Sequence, residues 1–170
     1  AAGSRTLTLT ATGNAPCANA TSTKTITIST APTAVAGTAV ATCSNSGAVN
    51  ITAGSSATNY TTVTWTSSGT GTFANANSLT LATYTPSAAD ISAGSRTLTL
   101  TATGNAPCAN ATSTKTITIS TTPTAVAGTA ITTCSNSGAV NITAGSSATN
   151  YASVTWTSSG TGTFANANSL

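Results

Sequence analysis

The sequence predicts an all-β fold made of tandem antiparallel β-sandwich domains, and three observations support that prediction. Threonine makes up about a quarter of the 170 residues, and apolar residues alternate with it along several segments. The sequence repeats after 91 positions, so that Arg5 returns as Arg96 and Trp65 returns as Trp156. No segment of useful length shows the 3.6-residue period of an amphipathic helix. These features indicate short strands arranged in a repeated domain.

The composition provides few ionisable residues that could take part in catalysis or metal binding. The chain has four basic residues, one acidic residue, no histidine and no methionine, and its net charge is +3. A biased composition can accompany disorder, but that kind of disorder comes with high net charge and few apolar residues, whereas 39% of this chain is hydrophobic. No apolar run approaches the ~20 residues that a membrane helix needs. We therefore expect a folded β protein with little surface charge and no transmembrane segment.

The repeat defines the domain organisation. A shift of 91 aligns residues 1–79 with residues 92–170, and about six positions differ, all by mild substitutions. A period of ~90 residues is too long for a solenoid coil and fits one small globular domain per repeat. We therefore predict a slice of a tandem array. It consists of a partial repeat at 1–30 with the last two strands, a complete immunoglobulin-like repeat at 31–121, and a partial repeat at 122–170 with the first strands.

Within the complete repeat, apolar residues recur at every second position, which is the period of a strand with one buried face. Leu98 and Leu100 alternate with threonines, and so do Ile117 and Ile119. Turn signals rich in Gly, Asn and Ser separate these segments, and a short helical turn is predicted at 86–90. About seven strands are predicted, near 33–42, 48–53, 61–66, 71–74, 79–85, 96–103 and 113–121.

Seven short strands with one tryptophan on the third indicate an antiparallel sandwich of the immunoglobulin type. Threonine suits such strands because its branched Cβ fits the pleat and its hydroxyl keeps the outer face wet without charge. At about 3.3 Å per residue, the longer strands give a domain about 30 Å long, so that an array of domains forms a rod. The predicted core residues are Trp65, Trp156, Tyr84, Leu98, Leu100, Ile117 and Ile119.

Cysteine supplies candidates for covalent stabilisation. Each repeat has one cysteine in TCSNSG and one in NAPCANAT, and an even number per unit favours disulfides over free thiols. The first turn and the last hairpin loop of an immunoglobulin-like chain lie at opposite ends, and bridged Cα atoms are only ~4.4–6.8 Å apart. Two pairings therefore stay open. One is a bridge within a repeat, Cys43–Cys108, preferred because it needs nothing outside the unit. The other joins the first turn of each repeat to the last loop of the following one. The disulfide candidates are Cys17, Cys43, Cys108 and Cys134.

Several function classes are disfavoured by the residues themselves. A Ser or Thr nucleophile needs a base, and the chain has no histidine and a single acid, Asp90. Zinc and calcium lack ligands for the same reason, so that no metal and no cofactor are expected. Two basic residues per repeat make no stripe for nucleic acid. The basic residues Arg5, Lys24, Arg96 and Lys115 are interpreted as solvated charges on strand faces that discourage edge pairing.

Three segments of the chain carry a family resemblance. They are VTWTSSGTGTF at 63–73, YTPSAADISAGS at 84–95 and LTLTATGNAPC at 98–108. With the sequence around them, they resemble the PKD-like and immunoglobulin-like tandem repeats of giant secreted surface proteins and gliding-type adhesins of Bacteroidetes. The resemblance covers essentially the whole chain and implies an extracellular β-sandwich repeat, commonly exported by the type IX pathway. PKD domains usually carry a WDFGDG-like run after the tryptophan, and here WTSSGTG lacks the acids, so the resemblance does not extend to a calcium role.

We therefore expect a non-catalytic structural repeat of an extracellular bacterial surface adhesin, stalk or filament that gives length. Its expected partners are the neighbouring repeats of the same chain and, because similar β-rich units can exchange strands, further copies in a fibre. The alternative is an adhesive module that binds a glycan through Thr-rich sheet faces and exposed Tyr60 and Tyr151. Ice binding through the same faces is disfavoured because sheets twist by ~20° per strand. The start at Ala1 suggests a mature or internal fragment.

Overall fold

The structure is a computed structural model that describes residues 2–170. Strands hold 41% of the chain and helix holds 4%, which confirms the all-β class. A hairpin comes first, a group of nine strands and one helix follows, and two short strands come last. The elements are β1 (Gly3–Ala11), β2 (Ala20–Ile28), β3 (Thr33–Val35), β4 (Val40–Cys43), β5 (Val49–Asn50), β6 (Ser56–Thr58), β7 (Tyr60–Ser67), β8 (Thr72–Ala74), β9 (Thr83–Thr85), α1 (Ala88–Ala93), β10 (Ser95–Gly104), β11 (Ala111–Ser120), β12 (Thr124–Val126) and β13 (Ser147–Thr149).

The largest sheet has four strands in the order β4-β11-β10-β7. Strands β10 and β11 form an antiparallel hairpin in which Leu98 lies opposite Lys115 and Leu100 lies opposite Ser113. Strand β7 pairs antiparallel with β10, and β4 pairs parallel with β11. The two outer strands of this sheet therefore pair with the central hairpin and not with each other.

A second sheet, in the order β5-β9-β8, shares one hydrophobic core with the first. Every second side chain of β10 and β11 faces this core, as a period of two requires. The rings of Phe73 and Tyr84 meet in it with their centroids 4.8 Å apart. Trp156, the counterpart of Trp65, is half-buried. The buried apolar residues are Ala36, Ile51, Val63, Trp65, Ala82, Tyr84, Leu98, Leu100, Ala102, Ile117 and Ile119.

Residues 31–121 contain nine strands, where the sequence predicts about seven. The predicted strand at 33–42 is interrupted at Gly37, whose φ of +84° lies in the left-handed region that favours glycine. After this break the chain changes sheets, because β3 pairs with β6 whereas β4 pairs with β11. Strand β6 lies between the predicted strands at 48–53 and 61–66, where the sequence predicts a turn, and the predicted strand at 79–85 is reduced to β9.

The same sequence is packed differently in the two partial repeats. Strands β1 and β2 pair only with each other within residues 2–170, and all their residues are exposed. Residues 131–134 and 151–158, the counterparts of β4 and β7, form no strands. In residues 31–121, β4 and β7 pair with the β10–β11 hairpin, whereas no described hairpin pairs with residues 122–170. A strand needs a partner to satisfy its backbone hydrogen bonds.

Candidate functional site

The chain's one acidic residue lies at the start of helix α1. Ser87 is the N-cap, and its Oγ accepts a hydrogen bond from the backbone N–H of Asp90 at 3.2 Å. The backbone N–H of Ser87 in turn donates to Asp90 Oδ2 at 3.0 Å. This reciprocal pair is a capping box, which satisfies N–H groups that the first helical turn leaves open. The helix begins after Ser87 and ends before Gly94, so it continues past the predicted helical turn at 86–90.

Asp90 is fully buried, and its carboxylate accepts five hydrogen bonds. The shortest of them come from two side chains. Arg96 donates from Nε at 2.7 Å and Tyr84 donates from its hydroxyl at 2.7 Å. Two backbone groups of the turn between β7 and β8 also donate, so that the carboxylate joins this turn to β9, α1 and β10. The backbone donors are Thr70 N at 3.2 Å, Gly71 N at 2.8 Å and Ser87 N at 3.0 Å.

These contacts determine the protonation states of Asp90 and Tyr84. Burial alone would raise the pKa of Asp90, because the interior solvates a charged carboxylate poorly. The hydrogen bonds from Arg96, from Tyr84 and from backbone N–H groups outweigh burial and hold the pKa of Asp90 well below its ordinary value. Burial, together with the nearby charge of Asp90, raises the pKa of Tyr84. Asp90 is therefore a charged carboxylate and Tyr84 a neutral phenol. Their contacts join separate elements of the fold.

The interpretation of the basic residues as solvated charges is wrong for Arg96 and Lys115. Arg96 binds Asp90 and also donates from Nη2 to the carbonyl oxygen of Ala89 at 3.0 Å. Its partner lies on another element, and an alternating strand pattern carries no information about such a contact. The Ser87-x-x-Asp90 spacing, which is a capping-box signature, was the available signal for this cluster.

Lys115 lies in the hydrophobic interior of residues 31–121, with 6% of its surface exposed. Its Nζ donates to the carbonyl oxygen of Ile51 and lies 4.9 Å from the centroid of the Trp65 ring. Burial lowers the pKa of Lys115, because removal from water disfavours the charged ammonium. A desolvated cation over an aromatic face can contribute about 2 kcal/mol. Lys115 therefore links β11 to the chain that follows β5, whereas its counterpart Lys24 is exposed.

Neighbouring repeats meet at the loop between β10 and β11. Ser29 follows β2, and its Oγ donates to the carbonyl oxygen of Ala106 at 3.2 Å. The thiol of Cys108 donates to the carbonyl oxygen of Ser29 at 3.5 Å. The chain therefore passes from β2 into the next group of strands beside the loop that holds Cys108.

The chain leaves this group of strands at the opposite end of β11. The backbone N–H of Ser44 donates to the carbonyl oxygen of Ser120 at 2.8 Å, and the Oγ of Ser44 accepts from Thr122 N at 3.2 Å. In the parallel pair of β4 and β11, Cys43 lies beside Ser120. Strand β11 has ten residues, and each advances the chain by about 3.3 Å. Entry and exit are thus about 30 Å apart.

The preferred disulfide within one repeat, Cys43–Cys108, is absent from the structure. All four cysteines are free thiols, with Cys17, Cys43 and Cys134 exposed and Cys108 half-buried. Cys43 and Cys108 lie near opposite ends of β11, far beyond the Cα separation of at most about 7 Å that a bridge requires. The contact of Cys108 with Ser29 is instead directed to the preceding repeat.

The outer face of the four-stranded sheet is covered with threonine. Thr99 lies opposite Thr66 of β7 on one side and opposite Thr114 of β11 on the other. The threonines of β11 on this face are exposed. This surface offers rows of hydroxyl groups without charge. The next row is formed by Thr64, Thr101 and Thr112.

No group of three or more His, Cys, Asp and Glu side chains within residues 2–170 is arranged to hold a metal ion. In the same part of the chain, nothing helical has both the length and the apolar character needed to span a bilayer. Comparison with protein-family models finds no match, and no curated protein matches the chain.

Proposed function

We propose that the chain is a length-giving structural segment of an extracellular bacterial surface adhesin, stalk or filament, without a catalytic role. One observation carries this proposal: the chain enters the complete repeat beside Cys108 and leaves it beside Cys43, at the two ends of β11. Units joined in this way extend end to end, and each adds about 30 Å, the length of its longest strands.

The immunoglobulin-like, PKD-like class is part of the same proposal. In an immunoglobulin sandwich, strands C, F and G share one sheet and strands B, E and D share the other. The orders β11-β10-β7 and β5-β9-β8 support this class. The buried Trp65 supports it as well, because it lies on β7, the strand that corresponds to C.

A structural role is supported by the use that the fold makes of its few ionisable groups. The carboxylate of Asp90 is engaged by five donors. Lys115 is buried against a backbone carbonyl and the Trp65 ring. Groups held in this way stabilise the sandwich and are not presented to a substrate.

Immunogold labelling tests the location and the role together. Antibodies raised against the 170-residue chain should label the outside of intact producing cells, at positions spread along extended surface structures. Labelling that appears only after permeabilisation of the cells would contradict the proposal. An antibody against a cytoplasmic protein of the same cells provides the control for intactness.

The alternative is an adhesive module that binds a glycan, and the threonine rows of the outer sheet face are the observation that favours it. Tyr60 and Tyr151 are exposed and offer aromatic surfaces to a sugar. A glycan array, with a Tyr60→Ala and Tyr151→Ala double variant as control, distinguishes this role from a passive stalk. Binding that is lost in the double variant would establish the alternative, and a thermal hysteresis assay would test the ice-binding version.

A further inference from the structure

The linker that leads into the complete repeat is held by the loop that contains Cys108. This linker runs from Ser29 to Ala31, between β2 and β3. The Oγ of Ser29 donates to the carbonyl oxygen of Ala106 at 3.2 Å, and the thiol of Cys108 donates to the carbonyl oxygen of Ser29 at 3.5 Å. Cys108 is half-buried. The last loop of a repeat therefore directs its sulfur at the linker from the preceding repeat.

The linker that leaves the complete repeat is held by the turn that follows Cys43. It runs from Ser120 to Thr122, one period of 91 residues after the first linker. The carbonyl oxygen of Ser120 accepts from the backbone N–H of Ser44 at 2.8 Å, and the Oγ of Ser44 accepts from Thr122 N at 3.2 Å. Cys43 lies beside Ser120 in the parallel pair of β4 and β11. The first turn of a repeat therefore places its cysteine beside the linker to the following repeat.

The two linkers occupy equivalent positions and differ in sequence only at Ala31 and Thr122. Each linker of an array is thus approached by two loops with cysteines, the first turn of the repeat before it and the last loop of the repeat after it. Both loops use the same acceptor, the carbonyl oxygen of the linker serine, as seen at Ser29 and Ser120. A carbonyl oxygen has two lone pairs and accepts both donors at once. The two cysteines therefore meet at one peptide group.

We propose that Cys43 of one repeat forms a disulfide with the cysteine equivalent to Cys108 in the following repeat of the same chain. The inference rests on the proposed structural role and deepens it, because consecutive units become joined by the bridge as well as by the linker. A bridge between Cys43 and Cys108 of one repeat would have to span about 30 Å, from one end of β11 to the other. The proposed bridge is the pairing between consecutive repeats that the sequence leaves open.

The bridge restricts the angle between neighbouring units. Domains joined by a short linker and a small interface move relative to one another unless a larger contact prevents it. Here the contacts of the linker are a few hydrogen bonds to Ser29 and Ser120. A disulfide across the linker adds a second covalent connection, and an oxidising extracellular environment preserves it. A bridged array is therefore a stiffer rod than one held by linkers alone.

The bridge forms by oxidation of two thiols, which lose two protons and two electrons. Oxidised glutathione serves as the oxidant. One protein thiolate attacks its disulfide and releases a glutathione thiol, and the second protein thiolate displaces the other glutathione from the mixed disulfide. The products are one protein disulfide and two molecules of reduced glutathione.

The test uses the full chain, extended after Leu170 by a copy of residues 80–121, so that two complete repeats follow one another. Cys17→Ser and Cys134→Ser leave three cysteines in this chain, namely Cys43, Cys108 and the added copy of Cys108. After treatment with oxidised glutathione, the chain should remain monomeric and migrate faster in non-reducing electrophoresis. Thiol labelling should modify Cys108 alone. Thiols that stay free at all three positions, or a bridge that forms only between separate molecules, would overturn the inference.

One substitution at two equivalent positions identifies the partner of Cys43. Cys108→Ser in the first complete repeat should leave the bridge intact, whereas Cys108→Ser in the added copy should abolish it. The opposite result would establish the bridge within a repeat and refute the bridge between repeats. Tryptophan emission of the reduced chains should be the same in both variants, because neither sulfur belongs to the hydrophobic core. A missing bridge then reflects the missing partner and not an unfolded repeat.

Thermal unfolding gives a second measurement. A disulfide that closes a long loop stabilises the folded chain by restricting the unfolded one. Oxidation should therefore raise the unfolding midpoint of the extended chain and of its Cys108→Ser variant, and it should leave the midpoint of the added-copy variant unchanged. Equal midpoints for all three oxidised chains would contradict the bridge.

The inference and the proposed function fail separately. Free thiols in the oxidised extended chain, together with antibody labelling of the surface of intact cells, would overturn the bridge and leave the proposed function standing. A bridge in the extended chain, together with labelling only after permeabilisation, would support the pairing and contradict the extracellular role.

Discussion

Arg96 donates from Nε to Oδ1 of Asp90 across 2.7 Å, and the carboxylate that it binds is fully buried. The pair joins β10 to the start of α1. Arg5, the equivalent of Arg96, lies on the exposed hairpin and donates to the carbonyl oxygen of its neighbour Ser4. Equivalent arginines therefore lie in two different environments. The exposed one can serve as a control when the buried ion pair is tested by substitution.

Removal of the carboxylate charge should destabilise the complete repeat. Asp90→Asn leaves Arg96 without a charged partner and replaces an acceptor-only group with one that also carries N–H donors, so we expect a loss of about 3 kcal/mol in the free energy of unfolding. Urea denaturation followed by Trp65 fluorescence in a Trp156→Phe background measures it. Arg5→Gln is the matched control for Arg96→Gln and should change stability by less than about 0.5 kcal/mol. Equal losses in these two arginine variants would contradict the role of the pair.

The decrease in the free energy of unfolding at low pH should be caused by protonation of Asp90. Its pKa in the folded chain is held below the ordinary value of 3.8, so its contribution is complete above about pH 5 and is lost as pH falls through the folded pKa. The free energy of unfolding should be nearly constant from about pH 7 to about pH 5 and decrease below about pH 4. Asp90→Asn should have a much flatter acid limb. An unchanged acid limb in this variant would assign the effect to another group.

The turn between β7 and β8 should not tolerate a methyl group beside the carboxylate. A Cβ on Gly69 would collide with Oδ1 of Asp90 and approach Cδ of Arg96 to 2.7 Å. Gly69→Ala should therefore destabilise the complete repeat by about 1–3 kcal/mol. At the equivalent Gly160 the nearest atom, Oγ of Ser158, is 3.7 Å away, and Gly160→Ala should be nearly neutral. Similar urea midpoints for the two variants would contradict this interpretation.

Identical leucines should differ in their contribution to stability. Leu98→Ala removes a fully buried side chain and should cost about 2–5 kcal/mol. Leu7→Ala, at the equivalent position with 44% exposure, should cost less than about 1 kcal/mol. Thermal unfolding of both variants in reductant provides the comparison. A large loss for Leu7→Ala would mean that this side chain is packed and not exposed.

Lys115 should give the repeat a second pH dependence, of the same sign as that of Asp90 but in the alkaline range. Burial lowers its pKa in the folded chain, so the unfolded chain binds more protons up to its ordinary pKa of about 10.4, and stability rises with pH in that window. The difference in unfolding free energy between wild type and Lys115→Met should therefore shift in favour of wild type between about pH 7 and pH 10. Lys24→Met, at the exposed counterpart, is the control. Parallel curves for wild type and Lys115→Met would show that burial does not affect the lysine.

Much of the fold could be predicted from short-range patterns. The alternation around Leu98 and Ile117 predicts strands with one apolar face, and both residues are buried in the sheet of β10 and β11. Local patterns did not predict the change of sheets at Gly37, because the destination of each half depends on strands that are distant in sequence. They also misassigned Lys115, because a strand pattern cannot reveal an indole ring above one position.

The sequence by itself determined the all-β class, the 91-residue period and the alternation that makes a nearly uncharged strand soluble. These properties depend on residue type and spacing, which the sequence shows directly. The tertiary structure alone decided that Asp90 meets Arg96, that Lys115 lies over Trp65 and that Cys43 and Cys108 lie at opposite ends of β11. Such contacts join residues from different elements, and they exist only when the two sheets close on a shared core. The β1–β2 and β10–β11 hairpins have the same sequence, but the apolar side chains of the first are exposed and those of the second are buried. The burial of a side chain depends on the elements that pack against it, which its local sequence does not specify.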